Sequence, residues 1–242
     1  RRLVYVNISG NAVAMPWRDR VPAIVQGWFL GSEAGEALAD VLTGDVNPSG
    51  KLPFTWVKSL KQVGAHALNA YPGTWRKEGG QQTPGNIIDE DYKEGIYVGY
   101  RWTDLKKERP EFAFGHGLSY TTFAITNLRA DRDALTRDGS ITFTVNVKNT
   151  GRRAGAETVQ LYVHDSKATV DRPVKELKGF QKVWLEPGES RDVSITIGND
   201  ALSFWDEAKG GWRSENGTFE ARVGNASDNL KLKKSFELKG NI

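Results

Sequence analysis

The sequence predicts an α/β segment followed by an all-β sandwich, and three observations carry that reading. Residues 1–56 alternate short apolar runs with one amphipathic helix. Beyond Thr122 apolar and polar residues alternate with a period of two, as in Ile141, Phe143, Val145 and Val147 and again in Val159, Leu161 and Val163. Turns rich in Gly, Asn and Pro separate those later runs at short intervals, as in an immunoglobulin-like sandwich.

The elements follow in order. Leu3–Gly10 starts almost directly in a buried-looking strand, which in an α/β sheet needs neighbours on both sides. After the Met15-Pro16-Trp17 turn, Ala23–Phe29 is a second apolar run bounded by Pro22 and Gly31. Ser32 to Leu42 reads as a helix: Ser32 can cap it, Glu33 and Glu36 occupy its first turn, and Ala34, Leu38, Val41 and Leu42 share a face. Gly44 stops it, and Pro48, Gly50 and Pro53 force a non-helical path to Trp56. Residues 57–90 form a long Gly- and Pro-rich loop (Pro72, Gly73, Gly79, Gly80, Pro84, Gly85), a length that favours a functional role. Tyr92–Tyr100 resumes an extended pattern, Asp104–Arg109 is a charged turn, and Phe112–Tyr120 bridges into the sandwich. Strands are expected at Phe123–Ala130, Ile141–Asn149, Glu157–His164, Val174–Leu185, Arg191–Ile197, Thr218–Val223 and Leu230–Leu238. The domain plan is therefore half of an α/β domain with its loop over 1–90, a bridge over 91–122, and the sandwich over 123–242.

Composition narrows the function. Hydrophobic residues make up 38% of the 242 positions and charged residues 26%, an ordinary globular balance. The net charge of +3 is spread evenly, with 14 basic and 13 acidic residues up to Ala124 and 19 and 17 after it, so no basic nucleic-acid module is expected. No apolar run approaches the roughly 20 residues of a membrane helix. The absence of cysteine excludes disulfides and thiolate metal sites.

Several stretches resemble one enzyme family in the order in which that family carries them. They are Ala23–Trp28, Gly31–Gly35 and Ala39–Leu42 with the Asp45–Trp56 run, then Tyr92–Arg101, then Phe112–Tyr120 with its core Phe114-Gly115-His116-Gly117-Leu118-Ser119-Tyr120, then Arg172–Phe180. This pattern is similar to glycoside hydrolase family 3, the β-glucosidase and β-xylosidase group. The resemblance implies the second half of an α/β sandwich domain followed by a fibronectin type III-like domain. It also implies a retaining exo-β-glycosidase, most simply a β-glucosidase, working with an Asp nucleophile and a Glu acid/base about 5–5.5 Å apart. Both carboxylates fall before the matched stretches, so the chain is expected to be a C-terminal piece, catalytically inactive alone, with no catalytic residue of its own. Its implied partners are the barrel-containing N-terminal part of the same enzyme, an oligosaccharide or aryl β-glycoside, and in some assemblies a second copy in a homodimer. No cofactor is expected, and a periplasmic or secreted location suits such substrates. The competing reading is a non-catalytic module that packs domains or dimerises.

Sugar contact needs apolar rings for pyranose faces and charged groups for hydroxyls. Tyr71, Trp75 and Arg76 in the long loop fit, and Trp28 is a fourth candidate. Trp28, Trp56, Trp184, Trp205 and Trp212 are otherwise expected in cores, so the sandwich strands show no outward aromatic row. Glu33 and Glu36 are better read as first-turn acids that favour the helix dipole than as a catalytic pair. Asp89-Glu90-Asp91 matches no cation loop and reads as a solvated acidic run. Gly44 to Gly50-Lys51 misses a phosphate loop, being one residue too long with Leu52 where Ser or Thr is required. His66, His116 and His164 lack metal-ligand spacing, and His116 is expected to pack rather than touch substrate.

Overall fold

The computed structural model describes residues 3–78, 81–82 and 87–240. Gly79, Gly80, Pro84 and Gly85 of the expected loop, and Arg1 and Arg2 before the first strand, lie outside the described residues. The chain divides into two compact units: Arg1–Val46 with Phe54–Ala113, and Asn47–Pro53 with Phe114–Ile242.

In the first unit β1 (Val4–Asn7) and β2 (Ala23–Gln26) pair in parallel, with Val4 opposite Ala23 and Asn7 opposite Gln26. Asn7 locks the pair by donating from Nδ2 to Gln26 Oε1 at 2.6 Å. The strands are not the buried ones expected: Val4 is 45% and Ile8 59% exposed, because among the described residues no further strand pairs with β1 and β2. Helix α1 (Ala34–Thr43) follows. Ser32 does not cap it; Glu33 is the N-cap and makes no side-chain capping bond. Gly44 ends it in the left-handed conformation, φ 89°, donating its N–H to Asp40 O.

A short helix α2 (Gly64–Ala67) comes next, then β3 (Thr74–Trp75), β4 (Lys77–Glu78), β5 (Gln81–Gln82) and β6 (Ile88–Asp89). Strand β3 pairs antiparallel with β6 and β4 with β5, so part of the expected loop is a hairpin stack. Tyr92–Tyr100 is not extended. It turns at Lys93–Ile96, with Gly95 N–H donating to Tyr92 O, and then enters α3 (Tyr100–Lys106). Gly95 and Gly99 both take positive φ, which breaks any strand there. Trp102 is buried on α3 and faces Gly64, where an added Cβ would come within 3.0 Å of the indole. The centre of this unit is aromatic. Trp56 is 1% exposed, stacks on Phe54 at 5.7 Å, meets Phe112 edge-on at 6.3 Å and donates from Nε1 to Val13 O.

The second unit is a β-sandwich. One sheet, of β7 (Phe123–Ala130), β9 (Ser140–Asn149) and β12 (Ser190–Gly198), runs in the order β12-β9-β7. The other runs β11-β10-β15-β16-β8, with β8 (Ala134–Thr136), β10 (Gly155–Asp165), β11 (Glu176–Leu185), β15 (Gly217–Gly224) and β16 (Leu232–Lys239). Between β12 and β15 the chain forms a separate hairpin, β13 (Phe204–Asp206) with β14 (Gly211–Arg213). The alternating residues predicted to face inward do so: Ile141, Phe143, Val145 and Val147 meet Val159, Leu161 and Val163 in one core with Phe219 and Phe236. Burying a side chain of this size stabilises by about 1.5–3 kcal/mol, which makes this core the main source of the unit's stability. The chain thus combines an α/β segment with a β-sandwich.

The segment Asn47–Pro53 belongs to this second unit and is tied in through Asn47, Lys51 and Leu52. Asn47 Nδ2 donates to Ala154 O, and Asn47 Oδ1 accepts from Ser119 Oγ and Tyr120 N–H. Leu52 N–H donates to His116 O and Gly115 N–H to Leu52 O. Lys51 donates to Gly117 O at 3.0 Å and lies 2.7 Å from Glu157. Gly117 permits the approach, since a Cβ there would stand 2.1 Å from Gly50 O.

Candidate functional site

The candidate residues of the long loop are placed by the β3–β6 pair. Trp75 lies opposite Ile88 and Thr74 opposite Asp89, and Arg76 N–H donates to Ile87 O at 2.9 Å. Gly73 makes the pairing possible: its φ is +89°, and a Cβ there would stand 2.2 Å from Asp89 O. Arg76 grips Asp89 with Nε and Nη2, its Nε 3.0 Å from each carboxylate oxygen. That fork is the geometry in which guanidinium and carboxylate bind best. The hydrogen bond from Arg76 holds the Asp89 carboxyl below its usual range, and the same bond raises Arg76.

The pair braces a hairpin whose ring stays open. Trp75 is 49% exposed and Tyr71 is 51% exposed, so both present aromatic surface. Tyr71 is joined to Pro72 by a cis peptide bond and packs edge-on against His66 at 5.0 Å. Trp28 belongs to a different cluster. It has φ 55° and packs edge-on against Phe54 at 5.5 Å, at the end of the aromatic series that runs to Trp56 and Phe112. The structure therefore places Arg76 directly after Trp75 at the end of β3, sets Tyr71 just before the strand, and holds Trp28 in a separate aromatic cluster of the first unit.

The remaining polar candidates have other roles. Asp89 is committed to Arg76, and among the described residues no group of three His, Asp or Glu side chains is arranged to hold a metal ion. Glu33 and Glu36 are exposed at the start of α1. His116 accepts at its carbonyl from Leu52 N–H. His164 is held differently: its Nδ1 is buried without a partner, burial lowers its pKa, and Arg222 lowers it further, against a backbone hydrogen bond at Val174.

Three tryptophans expected in cores are on the surface. Trp184 is 52%, Trp205 53% and Trp212 74% exposed. On β11, Val183 and Leu185 point inward, so the period of two sends Phe180, Lys182 and Trp184 outward; Phe180 is 66% exposed. That parity was present in the sequence and identifies the row. Trp205 and Trp212 are cross-strand partners of the β13–β14 hairpin, ring centroids 5.9 Å apart and nearly perpendicular. Lys209-Gly210-Gly211 between two aromatic runs was the signal for that hairpin.

Comparison with known proteins follows the same two units. Residues 1–100 match the family model for the glycosyl hydrolase family 3 C-terminal domain, and residues 157–227 match a fibronectin type III-like domain. The chain carries the C-terminal region of glycosyl hydrolase family 3. It is 47% identical over 237 residues to the β-glucosidase BoGH3A of Bacteroides ovatus, a match that takes in 98% of this chain and 30% of the relative. Among solved structures, a β-glucosidase from Kluyveromyces marxianus superposes with a TM-score of 0.83 at 39% identity, covering 98% of this chain and 26% of that one. β-Glucosidase 3B from Thermotoga neapolitana, solved with glucose, gives a TM-score of 0.83 at 37% identity, over 97% of this chain and 31% of that one. The chain spans about 30% of the length of such family 3 relatives. The family 3 domain match takes in the braced Trp75–Asp89 hairpin, and the fibronectin-like match takes in β10 to β15.

Proposed function

We propose that this chain is the C-terminal part of a family 3 β-glucosidase and that its β3–β6 hairpin touches the sugar or its aglycone. The two carboxylates of the retaining scheme are supplied by a further part of the enzyme, as the greater length of the relatives supports. Under this reading the first unit docks on that part through its uncovered apolar residues, among them Val4 (45% exposed), Phe29 (81%) and Leu42 (48%).

The observation that carries the site assignment is the open Trp75 ring on a strand fixed by the Arg76–Asp89 fork. A half-exposed indole on a braced strand offers an apolar platform to a pyranose or aryl face. The test is hydrolysis of p-nitrophenyl β-glucoside by the full-length enzyme. Trp75→Ala is expected to raise KM about tenfold with kcat nearly unchanged, the mark of lost uniform binding. Unaltered kinetics would remove Trp75 from the site, and an inactive wild-type enzyme on β-glucosides would overturn the activity itself.

A further inference from the structure

A second feature lies at the β13–β14 hairpin of the sandwich and is independent of the hairpin at Trp75. A cavity of about 300 Å³ opens there, lined by Trp212, Arg213, Lys209, Arg137 and Asn199 among others, with buried Leu238 at its side. That volume lies at the small end of ligand pockets, room for one or two sugar rings.

Two residues of the lining each hold a buried polar atom that lacks a hydrogen-bond partner: Asn199 Oδ1, an acceptor, and Arg213 Nε, a donor. Buried polar atoms are nearly always satisfied, so these two side chains, once turned toward the cavity, offer an acceptor and a donor to a ligand with both kinds of group. A sugar hydroxyl is both. Trp212, 74% exposed, adds an aromatic surface, with Trp205 in a T-shaped contact at 5.9 Å.

Charge narrows the sugar. The lining includes Arg137, Lys209 and Arg213 and no acidic residue. Asp206 sits 3.4 Å from Arg213 Nη1 and offsets that one cation. Arg137 and Lys209 form no ion pair among the described residues. The uncompensated positive field favours a carboxylate.

We propose that this cavity binds an oligosaccharide bearing uronic acid, with a ring against Trp212 and its carboxylate toward Arg137 and Lys209. The proposal does not rest on the hydrolytic activity, because its readout is binding of sugars that a β-glucosidase does not cleave.

The experiment is calorimetric titration of the full-length protein with trigalacturonate and with maltotriose, both α-linked. Trigalacturonate is expected to bind, more weakly at 0.5 M salt, and at least about tenfold more tightly than maltotriose. Trp212→Ala, an exposed change that leaves the fold intact, is expected to loosen it about tenfold, and Trp184→Ala to leave it unchanged. Lys209→Ala is expected to weaken the acidic sugar and not the neutral one. Equal binding of the two sugars would overturn the acidic ligand. Binding of neither, tighter binding of a single-stranded oligonucleotide, or an unaltered Trp212→Ala titration would overturn the sugar site.

Discussion

Lys51 Nζ lies 2.7 Å from Glu157 Oε1, with the two side chains only 14% and 8% exposed. Glu157 also accepts from Thr158 N–H at 2.7 Å and from Asn225 Nδ2 at 2.9 Å, and Lys51 also donates to Gly117 O. Three stretches far apart in sequence thus meet on one buried carboxylate. Removing one partner leaves an uncompensated buried charge. Lys51→Met is expected to cost about 3 kcal/mol by denaturant unfolding, whereas Lys51→Met with Glu157→Leu should recover most of it. A double variant as unstable as the single one would show that the packing, not the ion pair, holds the segment.

Gly117 is the neighbouring test. An alanine there drives Cβ to 2.1 Å from Gly50 O, a backbone atom that no rotamer change can clear. Gly117→Ala is expected to destabilise by on the order of 3 kcal/mol, whereas Gly188→Ala, in an open turn, should cost less although its φ is +80°. Thermal melts of both variants check the ranking.

Asp89→Asn should separate stability from function. The Arg76–Asp89 pair is open to solvent on both sides, 47% and 45% exposed, so little change in melting temperature is expected. The hairpin that carries Trp75 loses its fork, and KM for an aryl glucoside should rise about threefold. Because the folded carboxyl lies below its ordinary 3.8, the pair persists above that value and is lost only as pH falls through the lowered one. A KM profile that is flat in this respect between pH 5 and 8 is the expected result.

His164 gives the opposite dependence to a histidine that gains an anion. Its folded pKa is lowered from 6.5 by burial and by Arg222. The unfolded chain therefore binds the proton first, and stability should be level above pH 6.5 and fall as the pH drops below it, until the lowered folded value is reached. Melting temperatures between pH 7.5 and 5.5 are expected to decline in the wild type and less steeply in His164→Gln.

Much of the fold was legible because two periodicities are hard to confuse. The strand Phe123–Ala130 has the predicted bounds, and Gly44 ends α1 as its lack of a Cβ allows. The misses have physical causes. Tyr92–Tyr100 looked extended by its aromatics, but Gly95 and Gly99 at positive φ turn it. Trp184 was assigned to the core by size, although its neighbours Val183 and Leu185 had already taken the inward positions. The cavity at Trp212 was invisible because it forms from β14, β16 and the turn at Asn199, which are far apart in sequence. The brace on Trp75 was half visible: Arg76 was a candidate for sugar, and Asp89 was read as part of a solvated run. Only the pairing of β3 with β6 shows that they hold each other.

The segment Asn47–Pro53 bears on how such enzymes can be recombined. It precedes residues 54–113 in the chain yet completes the sandwich that follows them. A gene cut at position 122 and spliced to another partner would carry every strand of the sandwich but leave Glu157 without its lysine and Ala154 O without the amide of Asn47. The sandwich is thus poorly suited to shuffling as a cassette. Exchange between homologues should succeed with a junction upstream of residue 47 and yield unstable chimeras with one near residue 122.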